Sequence, residues 1–110
     1  MRLSYIAKES AKDGRMNLDE IKTLFKNESV VKGNIWLYSI DISKSIIQYC
    51  KLHNIYVYGV DAFRLIKDRI QPSLENSMWL TSGDKWDELL LFLEKKGSIG
   101  FYYEIWYDGY

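Results

Sequence analysis

Near the middle of the chain stands the stretch Ile55-Tyr56-Val57-Tyr58-Gly59-Val60-Asp61-Ala62-Phe63. β-Branched and aromatic residues fill most of it, and these residue types favour strands. We therefore predict a β-strand over 55–63 with a glycine and a carboxylate at its middle. A carboxylate in an apolar strand must lie at a sheet opening or be satisfied by hydrogen bonds. A structural hydrogen bond and a partner-facing role are equal alternatives for Asp61.

A helix precedes this strand. Apolar residues recur at helical spacing over residues 41–53, with lysine and glutamine on the opposite face. The helix should begin at Ser39 or Asp41. It should end at Asn54, because asparagine tolerates the left-handed conformation common at helix ends.

Three further helices are predicted from spacing and capping signals. The strongest covers residues 84–96, where Asp84 can cap the N-terminus and two lysines lie at the negative end of the helix dipole. A capping box that starts at Asn17 predicts a short helix over 17–26. A short amphipathic helix is also expected over residues 3–11, although a strand there remains an alternative.

Two more strands are predicted, over Ser73–Leu80 and Phe101–Tyr107. A short charged connection, Lys67-Asp68-Arg69, suits a hairpin between the first of these and the central strand. In strand 73–80 the alternation places one set of apolar residues on one face: Leu74, Met78 and Leu80. The expected fold is one α/β domain over residues 1–110. It has two layers (α+β): one is a small, mainly antiparallel three-stranded sheet, and the other is formed by the helices packed against it.

Composition excludes several classes of protein. The 110 residues carry 15 basic and 15 acidic side chains, so no global charge favours nucleic acid or a membrane as a partner. One cysteine and one histidine leave no intramolecular disulfide and no Cys/His metal site. The glycines are scattered, so a phosphate-binding loop is not expected, and we predict no cofactor. Cytoplasmic residence is expected, because no secretory signal or membrane span is evident.

Catalytic readings of the chain are weak. His53 and Cys50 lie on the same predicted helix, and a structural role is the better interpretation of each. Asp61 and Glu75 could form a carboxylate pair across a hairpin. A small ligand-binding domain or enzyme that uses them, with His53 in the same cleft, is the alternative function. A nucleic-acid-binding antitoxin is a third reading, and it would need a basic stripe beside the aromatic rings.

Aromatic and acidic residues point instead to a protein partner. Nine tyrosines and four tryptophans exceed what a core of this size needs, and both types are enriched at interfaces. Residues 81–110 hold six acidic against three basic side chains. Such an acidic end could meet a basic partner, although solvated carboxylates on a helix and an edge strand explain the same count.

Several short stretches carry a family resemblance: Ser29-Val-Val-Lys-Gly-Asn-Ile-Trp36, the helix through 45–50, Asn54-Ile-Tyr-Val-Tyr-Gly-Val-Asp61, Pro72, Trp79 and the helix from Asp84-Lys-Trp86. On these stretches, over roughly Val30 to Trp106, the chain resembles the immunity proteins of bacterial polymorphic-toxin and contact-dependent inhibition systems, especially the group known as immunity protein 40. Similar sequences have a second glycine just before the aspartate, where this chain has Val60.

This resemblance implies a non-catalytic protein that neutralises the C-terminal domain of a cognate toxin by covering its active site or substrate-contacting surface. A nuclease with a basic cleft would suit an acidic, aromatic surface. We expect the toxin-binding residues to come from the strands and the C-terminal tail: Asp61, Glu75, Trp79, Glu104, Trp106, Asp108 and Tyr110.

Overall fold

A computed structural model describes residues 20–110, and within them the chain is α+β, as predicted. The helices are α1 (Glu20–Leu24), α2 (Ile40–Leu52) and α3 (Trp86–Lys96), with a 3-10 turn at Lys26–Glu28. The strands are β1 (Ser29–Lys32), β2 (Ile35–Tyr38), β3 (Val57–Ile66), β4 (Arg69–Trp79) and β5 (Tyr102–Tyr107). The predicted helix over 3–11 and the Asn17 cap lie outside the described residues. No helix within 20–110 is long and apolar enough to cross a membrane.

All five strands form one antiparallel sheet in the order β1-β2-β5-β3-β4. The prediction of three strands was therefore wrong, because the β1–β2 hairpin was not recognised. Only Gly33 and Asn34 separate its two strands, and Gly33 has a φ of +62°. A glycine at the first position of a two-residue loop favours the type II′ turn that suits hairpins. Four-residue strands are short, so alternation alone gives a weak signal.

Helices α2 and α3 cover one face of the sheet, and the hydrophobic core lies between the two layers. Alternate residues of the central strands point into this core, as the period of a strand requires. The fully buried contributors include Val60 and Ala62 from β3, Tyr103 and Ile105 from β5, Ile46, Ile47 and Cys50 from α2, and Leu89 and Leu93 from α3. The intervening residues of β3 and β5 point to the opposite side of the sheet, which we call the far face.

The predicted start and end of α2 are confirmed, whereas the predicted start of α3 is wrong. Ser39 caps α2, since its hydroxyl accepts a hydrogen bond from the backbone N–H of Ile42 at 3.3 Å. Asn54 adopts a φ of +57° just beyond the helix. Asp84, in contrast, does not cap α3; its carboxylate accepts a hydrogen bond from the Ser82 hydroxyl at 2.6 Å, and the N-cap is Lys85.

A two-residue turn, Lys67-Asp68, joins β3 to β4 and confirms the predicted hairpin. The ladder between the two strands is interrupted: Val60 pairs with Met78, but Ala62 pairs with Ser73. Four residues of β4, 74–77, therefore stand opposite a single residue of β3, Asp61. We call residues 74–77 the β4 bulge. Because of it, the predicted shared face holds for Met78 and Leu80, which both pack against the core, and is wrong for Leu74, which is 85% exposed.

Candidate functional site

Two tryptophans meet over a glycine on the far face. Gly59 is the ladder partner of Trp79 on one side and of Trp106 on the other. The ring centroids of the two tryptophans are 5.8 Å apart with the planes inclined at 37°. A Cβ atom on Gly59 would lie 2.8 Å from Cδ2 of Trp79 and 2.7 Å from the carbonyl oxygen of Met78. Absence of a side chain at Gly59 therefore lets Trp79 lie close against the strand.

Asp61 lies two residues beyond Gly59, on the same face, and is held by both indoles. Trp79 Nε1 donates to Asp61 Oδ1 at 2.8 Å, and Trp106 Nε1 donates to Asp61 Oδ2 at 2.9 Å. Hydrogen bonds to a charged group are worth about 1.5–3 kcal/mol each. The structural hydrogen bond considered for Asp61 is thus present, and it fixes the orientation of two large aromatic side chains. Trp79 nevertheless stays 55% exposed.

A second carboxylate stands beside Asp61. Glu104 is the ladder partner of Asp61 on β5, so the two acidic side chains share the far face, and Glu104 is only 5% exposed. Tyr110 donates its hydroxyl proton to Glu104 Oε2 at 2.6 Å, which is a short hydrogen bond. The Tyr110 ring also meets the Trp106 ring edge to face, with centroids 4.9 Å apart. We call Asp61, Trp79, Glu104, Trp106 and Tyr110 the Asp61 cluster.

Burial raises the pKa of Glu104 above its ordinary value of 4.5; the Tyr110 hydrogen bond opposes this rise and the charge of Asp61 adds to it. Burial, followed by the hydrogen bond to Glu104, also raises the pKa of Tyr110 above its ordinary value. Tyr110 therefore remains a proton donor at neutral pH. The folded protein holds a proton on Glu104 more tightly than the unfolded chain does.

This shift makes stability depend on pH with a defined sign. A raised folded-state pKa contributes stability that is fully present below the unfolded value of 4.5 and is lost as the pH rises through the folded value. We expect the free energy of unfolding of wild type, relative to Glu104→Gln, to fall between pH 4.5 and pH 7. The glutamine can still accept from Tyr110 but does not titrate. Urea unfolding of both proteins across that range measures the difference, and a difference that rises with pH would contradict the assignment.

The other two predicted site residues lie outside the Asp61 cluster. Glu75 is exposed on the β4 bulge, next to Leu74. Asp108 is exposed after β5, where its backbone N–H donates to the carbonyl oxygen of Tyr56 at 2.9 Å. Its charge and a side-chain hydrogen bond add to burial in raising the pKa of Tyr58. The structure thus brings together five of the seven predicted residues.

Two residues that sequence reasoning missed also reach the cluster. The backbone N–H of Trp36 donates to the Tyr110 hydroxyl at 3.3 Å. Lys22 Nζ lies 4.5 Å from the centroid of the Tyr110 ring and 5.4 Å from that of Trp36, within cation–π range. Tyr110 lies more than 70 residues from both Trp36 and Lys22 in the sequence, so local patterns gave no signal for these two contacts.

The three residues of the alternative function, Asp61, Glu75 and His53, are not joined by hydrogen bonds in the described part of the chain. Both hydrogen bonds of Asp61 come from indoles, neither from Glu75 nor from His53. His53 instead stacks on Tyr49 at the end of α2, with ring centroids 4.3 Å apart. A groove of about 330 Å³ lies between β4 and α3, lined by Met78, Glu88, Leu91, Phe92, Lys95 and Lys96. None of the three residues of the alternative lines this groove.

No family model, curated protein or solved structure matches this chain.

Proposed function

We propose that this chain is an immunity protein that binds the toxin domain of a bacterial competition system and neutralises it by occluding its active site or substrate surface. The observation that carries the proposal is the exposed Trp79 indole, held in place by Asp61 beside a second tryptophan. The sequence resemblance to immunity protein 40 supports the same role.

Ordered aromatic side chains suit tight binding. An interface loses affinity when flexible side chains must be immobilised on association. In the Asp61 cluster the two indoles are already ordered before binding. Each indole N–H has a carboxylate acceptor, and Trp106 packs between the rings of Trp79 and Tyr110. Tryptophan and tyrosine are also among the residues enriched at binding hot spots.

Charge indicates the kind of partner. Asp61 lies on the far face, and Glu75 is exposed on the bulge opposite it. A basic surface on the partner would be attracted to these carboxylates, and complementary charge speeds association. Nuclease toxins bind a polyanionic substrate through basic residues, so a nuclease is the toxin type this surface fits best.

The test is growth rescue combined with affinity measurement. The protein encoded immediately upstream supplies the candidate toxin, and its C-terminal domain is expressed in cells with and without this chain. We expect growth only when both are present and a complex stable enough to purify. The association rate should fall as salt increases, because screening weakens long-range attraction between charges.

Two outcomes would contradict the proposal. One is a toxic C-terminal domain that neither binds this chain nor is neutralised by it. The other is an upstream protein without toxicity. Binding that leaves growth arrested would identify a binding protein of another kind, so the rescue assay and the affinity measurement are both required.

A further inference from the structure

The β4 bulge lies on an edge strand of the sheet and is held by side-chain hydrogen bonds. Ser77 lies at its base, and the Ser77 hydroxyl accepts from the backbone N–H of Ala62 at 2.9 Å while donating to the carbonyl oxygen of Ser73 at 2.8 Å. Asn76 Nδ2 donates to the Ser73 hydroxyl at 2.9 Å. The Ser77 hydroxyl thus accepts the hydrogen bond that a backbone carbonyl of β4 would accept from Ala62 in an uninterrupted ladder. The bulge is therefore closed at its base rather than left as an open loop.

An apolar and an acidic side chain lie next to each other on the β4 bulge. Leu74 is 85% exposed and Glu75 beside it is also exposed. Bulges and charged residues on edge strands often serve to prevent aggregation. A leucine that is 85% exposed does not serve that purpose, because an apolar side chain on an edge favours association.

The bulge is also continuous with the Asp61 cluster. Asp61 stands opposite it in the register of β3, and β4 carries both the bulge and Trp79. A partner that covers the exposed indole would therefore lie against the bulge as well.

We infer that the β4 bulge is an anchor that inserts Leu74 into an apolar recess of the toxin domain, with Glu75 paired to a basic side chain at the rim. This inference deepens the proposed function and rests on it. The expected chemistry of the partner follows from the two exposed side chains of the bulge. Leu74 would be buried in an apolar recess, and the carboxylate of Glu75 would pair with a cation. Because the hydrogen bonds of Ser77 hold the bulge before binding, little ordering cost is added on association.

Affinity measurements with the purified C-terminal toxin domain test the anchor. We expect Leu74→Ala to weaken binding about tenfold or more and Leu74→Asp to weaken it further, as for other central apolar anchors. Glu75→Gln should lower affinity less and reduce its salt dependence. The matched control is Leu52→Ala, since Leu52 is 81% exposed but lies at the end of α2 in the helical layer. This control should bind like wild type, and thermal unfolding of every variant should match wild type.

Ser77→Ala separates a positioned anchor from a merely exposed leucine. Loss of the Ser77 hydroxyl loosens the base of the bulge, so the penalty of Leu74→Ala should be smaller in the Ser77→Ala background than in wild type. The anchor is overturned if wild type binds and rescues while Leu74→Ala and Leu74→Asp both stay within about twofold of its affinity. In that case the immunity function stands. If wild type itself neither binds nor rescues, the function and the anchor fail together.

Discussion

Replacing Gly59 by alanine is expected to destabilise the protein by about 2–3 kcal/mol, near the upper end of the usual range for overpacking. The added Cβ would lie 2.7 Å from a backbone carbonyl oxygen of β4, an atom that cannot rotate away. It would also lie 2.8 Å from the Trp79 ring. The strands must separate or Trp79 must move, and either change strains the hydrogen bond between Trp79 and Asp61. Urea unfolding measures the loss of free energy.

Gly100→Ala is the matched control for this substitution. A Cβ at Gly100 would have one neighbour, the Ser98 hydroxyl at 3.4 Å, which is close to ordinary contact. Its effect should stay within about 0.5 kcal/mol, as for most surface substitutions. The indole N–H resonances of Trp79 and Trp106 should shift in Gly59→Ala and not in Gly100→Ala. Equal stabilities for the two variants would show that Gly59 is not required for close packing of the tryptophan.

The elements that sequence analysis located are those with strong local patterns. Helix α2 repeats its apolar residues over more than three turns, and β3 is rich in β-branched and aromatic residues, so both were found to within three residues at each end. Hairpin β1–β2 has only four residues in each strand, and its Gly33-Asn34 turn was the available signal. Period and propensity depend on length, which explains the difference.

The β4 bulge shows a different limit. Strict alternation from Pro72 onward places Leu74 and Met78 on one side of the strand. Nothing in the local sequence indicates that four residues of β4 will stand opposite a single residue of β3. The interruption depends on the Ser77 hydroxyl reaching Ala62 on the neighbouring strand. That bond forms only after the strands have paired, so a reading of β4 by itself could not anticipate it.

Asp61 was recognisable from the sequence as a candidate residue, but its hydrogen-bond partners were not. Its chemical oddity was visible in the sequence, because a carboxylate in an apolar strand needs partners. The identity of those partners was not visible, since Trp79 and Trp106 lie 18 and 45 residues away. Both were nevertheless selected for the candidate surface on the separate ground that aromatic residues exceeded the needs of the core. Asp61 and the two tryptophans lie in one cluster because strand pairing places β3 between β4 and β5.

The largest expected effect on binding is that of Trp106→Ala, which should weaken toxin binding by at least about 2 kcal/mol, or roughly thirtyfold. Trp106 donates to Asp61 and contacts the rings of both Trp79 and Tyr110. Its removal leaves Asp61 with one indole donor and takes away the ring that packs against Trp79, so Trp79 is held less tightly before binding. Affinity falls both through lost contact area and because Trp79 must be ordered again on binding. Titration calorimetry with the toxin domain measures the change.

Trp86→Ala is the control that separates a loss of affinity from a loss of stability. Trp86 is also a partly buried tryptophan with a single indole hydrogen bond, to the carbonyl oxygen of Ile55 at 2.8 Å, but it belongs to α3. Both substitutions should lower the melting temperature, because each removes a large packed side chain. Only Trp106→Ala should lower affinity when both proteins are measured well below their melting temperatures. Equal losses of affinity would assign the effect to general destabilisation, whereas an unchanged affinity in Trp106→Ala would remove the Asp61 cluster from the interface.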